Sequence, residues 1–372
     1  MSNMIDYLHW RGDLTFKQDP FNIVDNVILS EMLYTEFDEY LKEEEIITIN
    51  ELSDRYFKHH SLEEAYKSKS FINLAPVVLF EMRKTRRFKD LVIHNFKSEL
   101  DHDKKIQFAA LSIDIDNHHT YIAFRGTDDS LLGWHEDFDM TYQVIRAQSE
   151  TLKYLRDNMR WNRKYYVGGH SKGGNLALYA SVNIEERYMR KIIKIYDNDG
   201  PGLSKKMYLE SDYLKVKERH IKIVPESDFF GMIFDKSNHH LVVASNESNM
   251  FQHNMLSWQV SGNQFIYKKE ISESTKLFQK ALNEYLDVTD NEQLKKTIDE
   301  IFDIIDDYPI TNVSDLYKLD LASKLNMMKS LLNLKSENQE TLHKLMVILY
   351  DTYALDLKTK ILDKIPINIK GK

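Results

Sequence analysis

The sequence predicts an α/β protein. It reads as a mostly parallel, doubly wound sheet with N-terminal helices in front and a region of helices alone behind. Three observations carry this. Short β-branched and aromatic runs alternate with helical segments from about residue 90 to residue 267, the pattern of a sheet covered by helices. Of the 12 glycines, those at 126, 133, 168, 169, 173, 174, 200, 202 and 231 crowd the middle of the chain, where strands hand over to helices. From residue 272 onward only helical periodicity remains.

Residues 20–45 have helical spacing. Val24, Ile28 and Met32 share a face with Leu29, Leu33 and Phe37, and Pro20 stands at an entry position. The run Glu43-Glu44-Glu45 is expected to be solvated. Residues 51–60 and 62–66 read as short helices. Residues 76–88 read as another, ending in Arg83-Lys84-Thr85-Arg86-Arg87, expected to be a solvated helix end.

Strands are predicted at 91–93, 106–115 and 120–125. Asp116-Asn117 supplies a turn between the last two, with His118 and His119 at the surface. A helix follows over 142–159. The run Tyr165-Tyr166-Val167 is a strand, and Leu176, Leu178 and Tyr179 begin a helical stripe after it. Further strands are expected at 191–196, 220–224, 241–244 and 264–267. Loops after Arg125, Val167, Tyr196 and Val224 lie at carboxyl ends of strands, where open α/β sheets place ligands.

Three C-terminal stripes complete the pattern: Leu277, Phe278, Ala281, Leu282 and Tyr285; then Leu294, Ile298, Ile301, Phe302 and Ile305; then Leu342, Leu345, Met346, Leu349 and Tyr350. The expected division is residues 1–271 as the α/β unit and 272–372 as a helical region, packed on that unit or on a second copy in a homo-oligomer.

Bulk properties narrow the classes. The 372 residues are 42% hydrophobic and 29% charged, enough for a large buried core. A net charge of −8 argues against a general nucleic-acid binder. With no cysteine there are no disulfides, thiol catalysis or Cys-ligated zinc. Residues 1–12 lack the apolar core of a secretory signal, and the longest apolar stretch, Phe71–Phe80, is too short to span a bilayer. A cytoplasmic protein is expected, with at most transient contact with a membrane surface.

The chemistry centres on Gly169-His170-Ser171-Lys172-Gly173, a G-x-S-x-G between a strand and a helix. That pattern is the nucleophile elbow of α/β-hydrolases. The turn holds the serine in a strained conformation, and the glycines make room for the backbone. The helix N-terminus behind it favours developing negative charge. A serine hydroxyl needs a histidine to take its proton and a carboxylate to orient that histidine. In this fold the chain order is serine, acid, histidine.

Asp197, Asp199 and Asp228 end strands in the right region. Asp228 is preferred and Asp199 held in reserve. Of His220, His239, His240 and His253, the first three stand at the amino ends of strands, so His253 is the preferred base. Backbone N–H groups of Lys172 and of Thr127 are the candidate oxyanion donors. Two further expectations concern single residues: Arg125 pairs with Asp137, and Lys172 favours anionic substrates.

Phe124-Arg125-Gly126-Thr127 together with Gly169–Gly174 resembles the lipase class 3 group of α/β-hydrolases. The chain is more closely similar to bacterial lipase-like hydrolases with an Asp-Gly-Pro-Gly loop (Asp199–Gly202) and a His…Ser-Trp-Gln segment (His253, Ser257-Trp258-Gln259). The resemblance implies a Ser171–His253–Asp228 triad, an oxyanion donor at Thr127, and a tryptophan-bearing lid over Leu131, Leu132 and Trp134. It implies hydrolysis of a small acyl ester or lipid-like substrate through an acyl-enzyme, without metal or organic cofactor. A thioesterase, an acyltransferase or a non-catalytic scaffold of the same fold are the alternatives.

Overall fold

The structure is a computed structural model describing residues 1–67, 74–101, 106–128, 130–140, 142–204, 207–208, 212–235, 239–312, 315, 319–334 and 339–348. One sheet holds eight strands in chain order: β1 (Ile47–Thr48), β2 (Val92–Asp101), β3 (Ile106–Asp114), β4 (His119–Phe124), β5 (Lys164–His170), β6 (Ile192–Asn198), β7 (His220–Pro225) and β8 (His240–Val243). β1 to β4 pair antiparallel, and β4 to β8 pair parallel. A separate hairpin joins β9 (Val260–Ser261) to β10 (Gln264–Phe265).

The helices described over their full length are, in chain order, α1 (Met4–Arg11), α2 (Ile23–Met32), α3 (Ile49–Tyr56), α4 (Leu62–Lys67), α5 (Ala75–Met82), α6 (Leu131–Asp139), α7 (Arg146–Asn158), α8 (Lys172–Asn183), α9 (Glu186–Met189), α10 (Tyr213–Val216), α11 (Glu273–Val288), α12 (Asn291–Asp306) and α13 (Leu321–Leu332). Among the described residues no helix is long and apolar enough to cross a membrane.

Alternation along the strands builds two cores. On β4, Tyr121 and Ala123 face one core with α1, α2, α3 and α5. Ile122 and Phe124 face the other, with α7, α8 and α10. The sheet is therefore covered on both sides but is not doubly wound. Strands in unbroken chain order have no reversal, so right-handed crossovers place their helices on one face. The N-terminal helices cover the other face.

Several helix ends differ from the sequence expectation. α1 was not expected. Met4, Tyr7 and Leu8 make an apolar stripe too short to stand out, yet all three are buried. The helix predicted over 20–45 is α2, which stops at Met32. Its true cap is Asn22, in a capping box with Asp25. Arg87 is not solvated: its side chain is fully buried and grips Asp25 with two bonds of 2.7 and 2.6 Å. The loop at Asp116 holds the β3–β4 hairpin as expected, its carboxylate accepting the N–H groups of His118 and His119.

The C-terminal helices pack on the α/β unit. Phe278, Tyr285, Ile298 and Phe302 form a cluster with Trp134 and Phe138 of α6 and with Phe229 and Ile233 after β7. Leu342, Leu345 and Met346 join it, whereas Leu349 and Tyr350 lie outside the described residues.

Candidate functional site

The loops after β4, β5, β6, β7 and β8 gather at the carboxyl rim of the parallel strands. Ser171 sits between β5 and α8 with φ 55° and ψ −130°. Such a conformation costs a non-glycine residue about 1–3 kcal/mol. It is held by tight packing: a Cβ on Gly173 would lie 2.1 Å from the Phe124 carbonyl oxygen, and one on Gly169 would lie 2.5 Å from the Gly173 backbone. The Ser171 N–H donates to the Asn198 carbonyl at 3.0 Å, tying the turn to the end of β6.

His253 follows β8 in the turn Asn249–His253 and is buried. Its Nδ1 lies 2.8 Å from Asp199 Oδ2 and 3.0 Å from Asp228 Oδ2. Both aspartates contact the histidine, so the sequence preference for Asp228 over Asp199 does not separate them. Burial works to lower the His253 pKa, but the Asp228 charge and the hydrogen bonds to Asp199 and Asp228 outweigh it and push it up to about 10. Burial pushes Asp199 well above the usual carboxylate range, and the neighbouring Asp228 charge adds to that. Asp228 Oδ2 also accepts the Phe230 N–H at 3.3 Å, so it caps the following turn as well.

The donor atoms of Asp199, Asp228 and His253 lie within 4.8 Å of one another, and an Nδ1–H donating to the carboxylates accounts for that spacing. Elsewhere, His220 meets Tyr213 and Asp197, and His240 meets Asp235.

His170 was missed from the sequence. It is buried, and its Nε2 donates to the His253 carbonyl at 2.8 Å. Its Nδ1 must then accept from Tyr34 O–H, also at 2.8 Å. Burial holds its pKa well below the usual value, reinforced by the neighbouring His253. Tyr34 comes from just beyond α2, so the N-terminal segment supports the rim. α2 also pins β6: Asn26 donates to Asn198 at 2.7 Å, and Asn198 to Ser30 at 3.1 Å. No local pattern marks these residues, because each bond spans more than 80 positions.

The loop after β4 abuts Ser171. A Cβ on Gly126 would come within 3.2 Å of Ser171 Cβ. Thr127 is buried and its hydroxyl donates to Asp137 Oδ2. The Lys172 side chain is wholly buried, its Nζ 3.5 Å from Asp137 Oδ1. Asp137 therefore partners Lys172 and Thr127 rather than Arg125. The ammonium is turned to that carboxylate.

Ser171 lines a small, mostly apolar pocket with Trp134, Phe138, Pro201, Phe230 and Ile233. Trp134 meets Phe230 edge-on at 4.8 Å, and the Phe230 ring lies 4.5 Å from the His253 ring. α6, which carries Leu131, Leu132 and Trp134, thus lies between the pocket and the C-terminal helices. Ser171 Oγ makes no hydrogen bond to His253 among the described residues.

Fold and rim together define an α/β protein with a strained serine and a carboxylate-held histidine at one end of its sheet. A family model described as Mbeg1-like matches residues 82–303, and the chain belongs to that family. The matched span contains every residue discussed at the rim except Tyr34 and the α2 residues. No curated protein and no solved structure matches the chain.

Proposed function

We propose that the protein is a serine hydrolase of the α/β-hydrolase type, related to the lipase class 3 group, that cleaves acyl esters. The observation that carries the reading is the strained Ser171 turn, set on the rim that also presents His253 on two aspartates. Ser171 Oγ attacks the ester carbonyl as its proton passes to His253 Nε2. The tetrahedral oxyanion meets the backbone N–H groups of Lys172 and Thr127. Collapse breaks the ester C–O bond, and His253 returns the proton to the departing alcohol. Water, activated by the same imidazole, then releases the acid from Ser171.

Formation of the Ser171–His253 bond belongs to the substrate complex, since catalytic hydrogen bonds often tighten only there. Apolar walls from Trp134, Phe138 and Ile233 suit the acyl part of the substrate. The same chemistry serves a thioester, or an acyl acceptor other than water.

A fluorophosphonate probe tests the reading. Native protein is expected to label at Ser171. Ser171→Ala is expected to abolish labelling and lower ester turnover by about a millionfold if the triad acts as a unit. Wild-type protein that never labels and turns over no ester or thioester would leave the fold as a binding scaffold.

A further inference from the structure

A serine triad requires one carboxylate on its histidine, and this rim supplies two to the same nitrogen. Asp199 is not there by chance of packing. It takes a left-handed backbone conformation, φ 56°, that a non-glycine residue rarely adopts. The chain around it is clamped. The Asp199 N–H donates to the Ile223 carbonyl at 2.7 Å, and the Gly200 N–H to Asp197 Oδ1 at 2.8 Å. Buried Lys222 donates to Asp197 Oδ2 at 2.9 Å and to the Gly200 carbonyl. On the far side, a Cβ on Gly231 would come within 2.2 Å of Asp199 Oδ1, so a glycine makes room for the carboxylate.

An imidazole Nδ1 carries at most one proton. Two buried carboxylates side by side do not both ionise readily without a positive partner. The outer oxygens, Asp199 Oδ1 and Asp228 Oδ1, are buried and have no hydrogen-bond partner among the described residues. The other polar groups nearby are engaged. His170 is bonded to Tyr34 and to the His253 carbonyl, Lys222 to Asp197 and Gly200, and Lys172 faces Asp137. The Phe230 ring also packs against His253.

We propose that Asp199 is a second positioning residue for His253. Asp199, Asp228 and His253 share one buried proton beyond the Nδ1–H, and Asp199 sets the pH at which His253 can act as a base. The shared proton rests either on the imidazole, making it a cation whose Nδ1–H faces the two carboxylates, or on Asp199, leaving a neutral imidazole against Asp228. With rising pH it passes to water, leaving both carboxylates ionised around Nδ1–H. The catalytic consequence rests on the serine-hydrolase reading; the shared proton does not.

Asp199→Asn separates the two. Asparagine imitates the protonated acid and leaves Asp228 as the single charge. The His253 imidazole is followed by NMR in the full chain with 15N-labelled histidine, its resonance assigned by loss in His253→Gln. The expected result is an alkaline titration in the wild type that falls by at least one pH unit in Asp199→Asn. The acid limb of fluorophosphonate labelling should shift down by the same amount, giving at least tenfold faster labelling where the wild-type imidazole is still protonated. An unchanged His253 titration, or slower labelling at every pH with an unmoved limb, overturns the proposal. Should Asp199→Asn fail to fold, Asp228→Asn carries the same test, since removing either carboxylate leaves one. A wild type that does not label removes the hydrolase reading and leaves the titration result decisive.

Discussion

Glu31 offers a test of the rim's foundation that needs no substrate. It lies on α2, wholly buried, three residues before Tyr34, and neither carboxyl oxygen has a partner among the described residues. Burial pushes its pKa up to about 8 from the usual glutamate value of 4.5. Below the unfolded value the carboxyl is protonated in both states and costs nothing. Between the two values the unfolded chain ionises while the folded chain does not. Folded protein then binds the extra proton, so stability falls as pH rises and stops falling above the folded pKa. Each unit is worth about 1.4 kcal/mol.

Glu31→Met removes the titration at similar volume. Its stability advantage over the wild type should grow by about 2–3 kcal/mol between pH 5.5 and 7.5, a large share of a typical domain stability of about 5–15 kcal/mol. Urea unfolding of both proteins at the two pH values measures this, and the other titrating groups cancel in the difference. Parallel curves, with the gap unchanged to within about 0.5 kcal/mol, would mean that Glu31 is ionised in the folded protein and finds a partner there.

Four other substitutions probe the scaffold. Arg87→Met should cost about 3–5 kcal/mol by urea unfolding, because it strands the buried Asp25 carboxylate at the foot of α2. Gly173→Ala should prevent accumulation of folded protein, since its methyl group meets the Phe124 carbonyl. Gly262→Ala, in open space with φ 64°, should cost only about 1–2 kcal/mol in the same measurement. Phe302→Ala removes the ring packed 4.6 Å from His135 and 5.8 Å from Phe138. A loss of about 3–5 kcal/mol is expected, with faster amide hydrogen exchange across residues 131–139 than elsewhere at the rim.

The unequal legibility of the molecule follows from the range of the forces involved. The strands between 90 and 267 and the helices α7 and α8 could be read because side-chain periodicity is a local property, whereas α6 was not read as a helix. The Ser171 turn could be read because its glycines are sequence neighbours of the strained residue. The gathering of residues 127, 171, 199, 228 and 253 at one rim followed from a topological rule, since all of them stand after the carboxyl ends of strands.

What lay beyond that reading depends on register and on distant chain. Arg87 looked like part of a solvated basic cluster until α2 brought Asp25 to it. His170 gained its purpose only from Tyr34 on one side and the His253 carbonyl on the other. The sequence ranked Asp228 above Asp199, and folding placed both on one nitrogen. The face covered by α1, α2 and α5, and the packing of the C-terminal helices on α6, were likewise settled in three dimensions. A run of residues specifies its own backbone periodicity, but which buried charge meets which is decided by elements scores of residues apart, and only their packing brings them within hydrogen-bonding range.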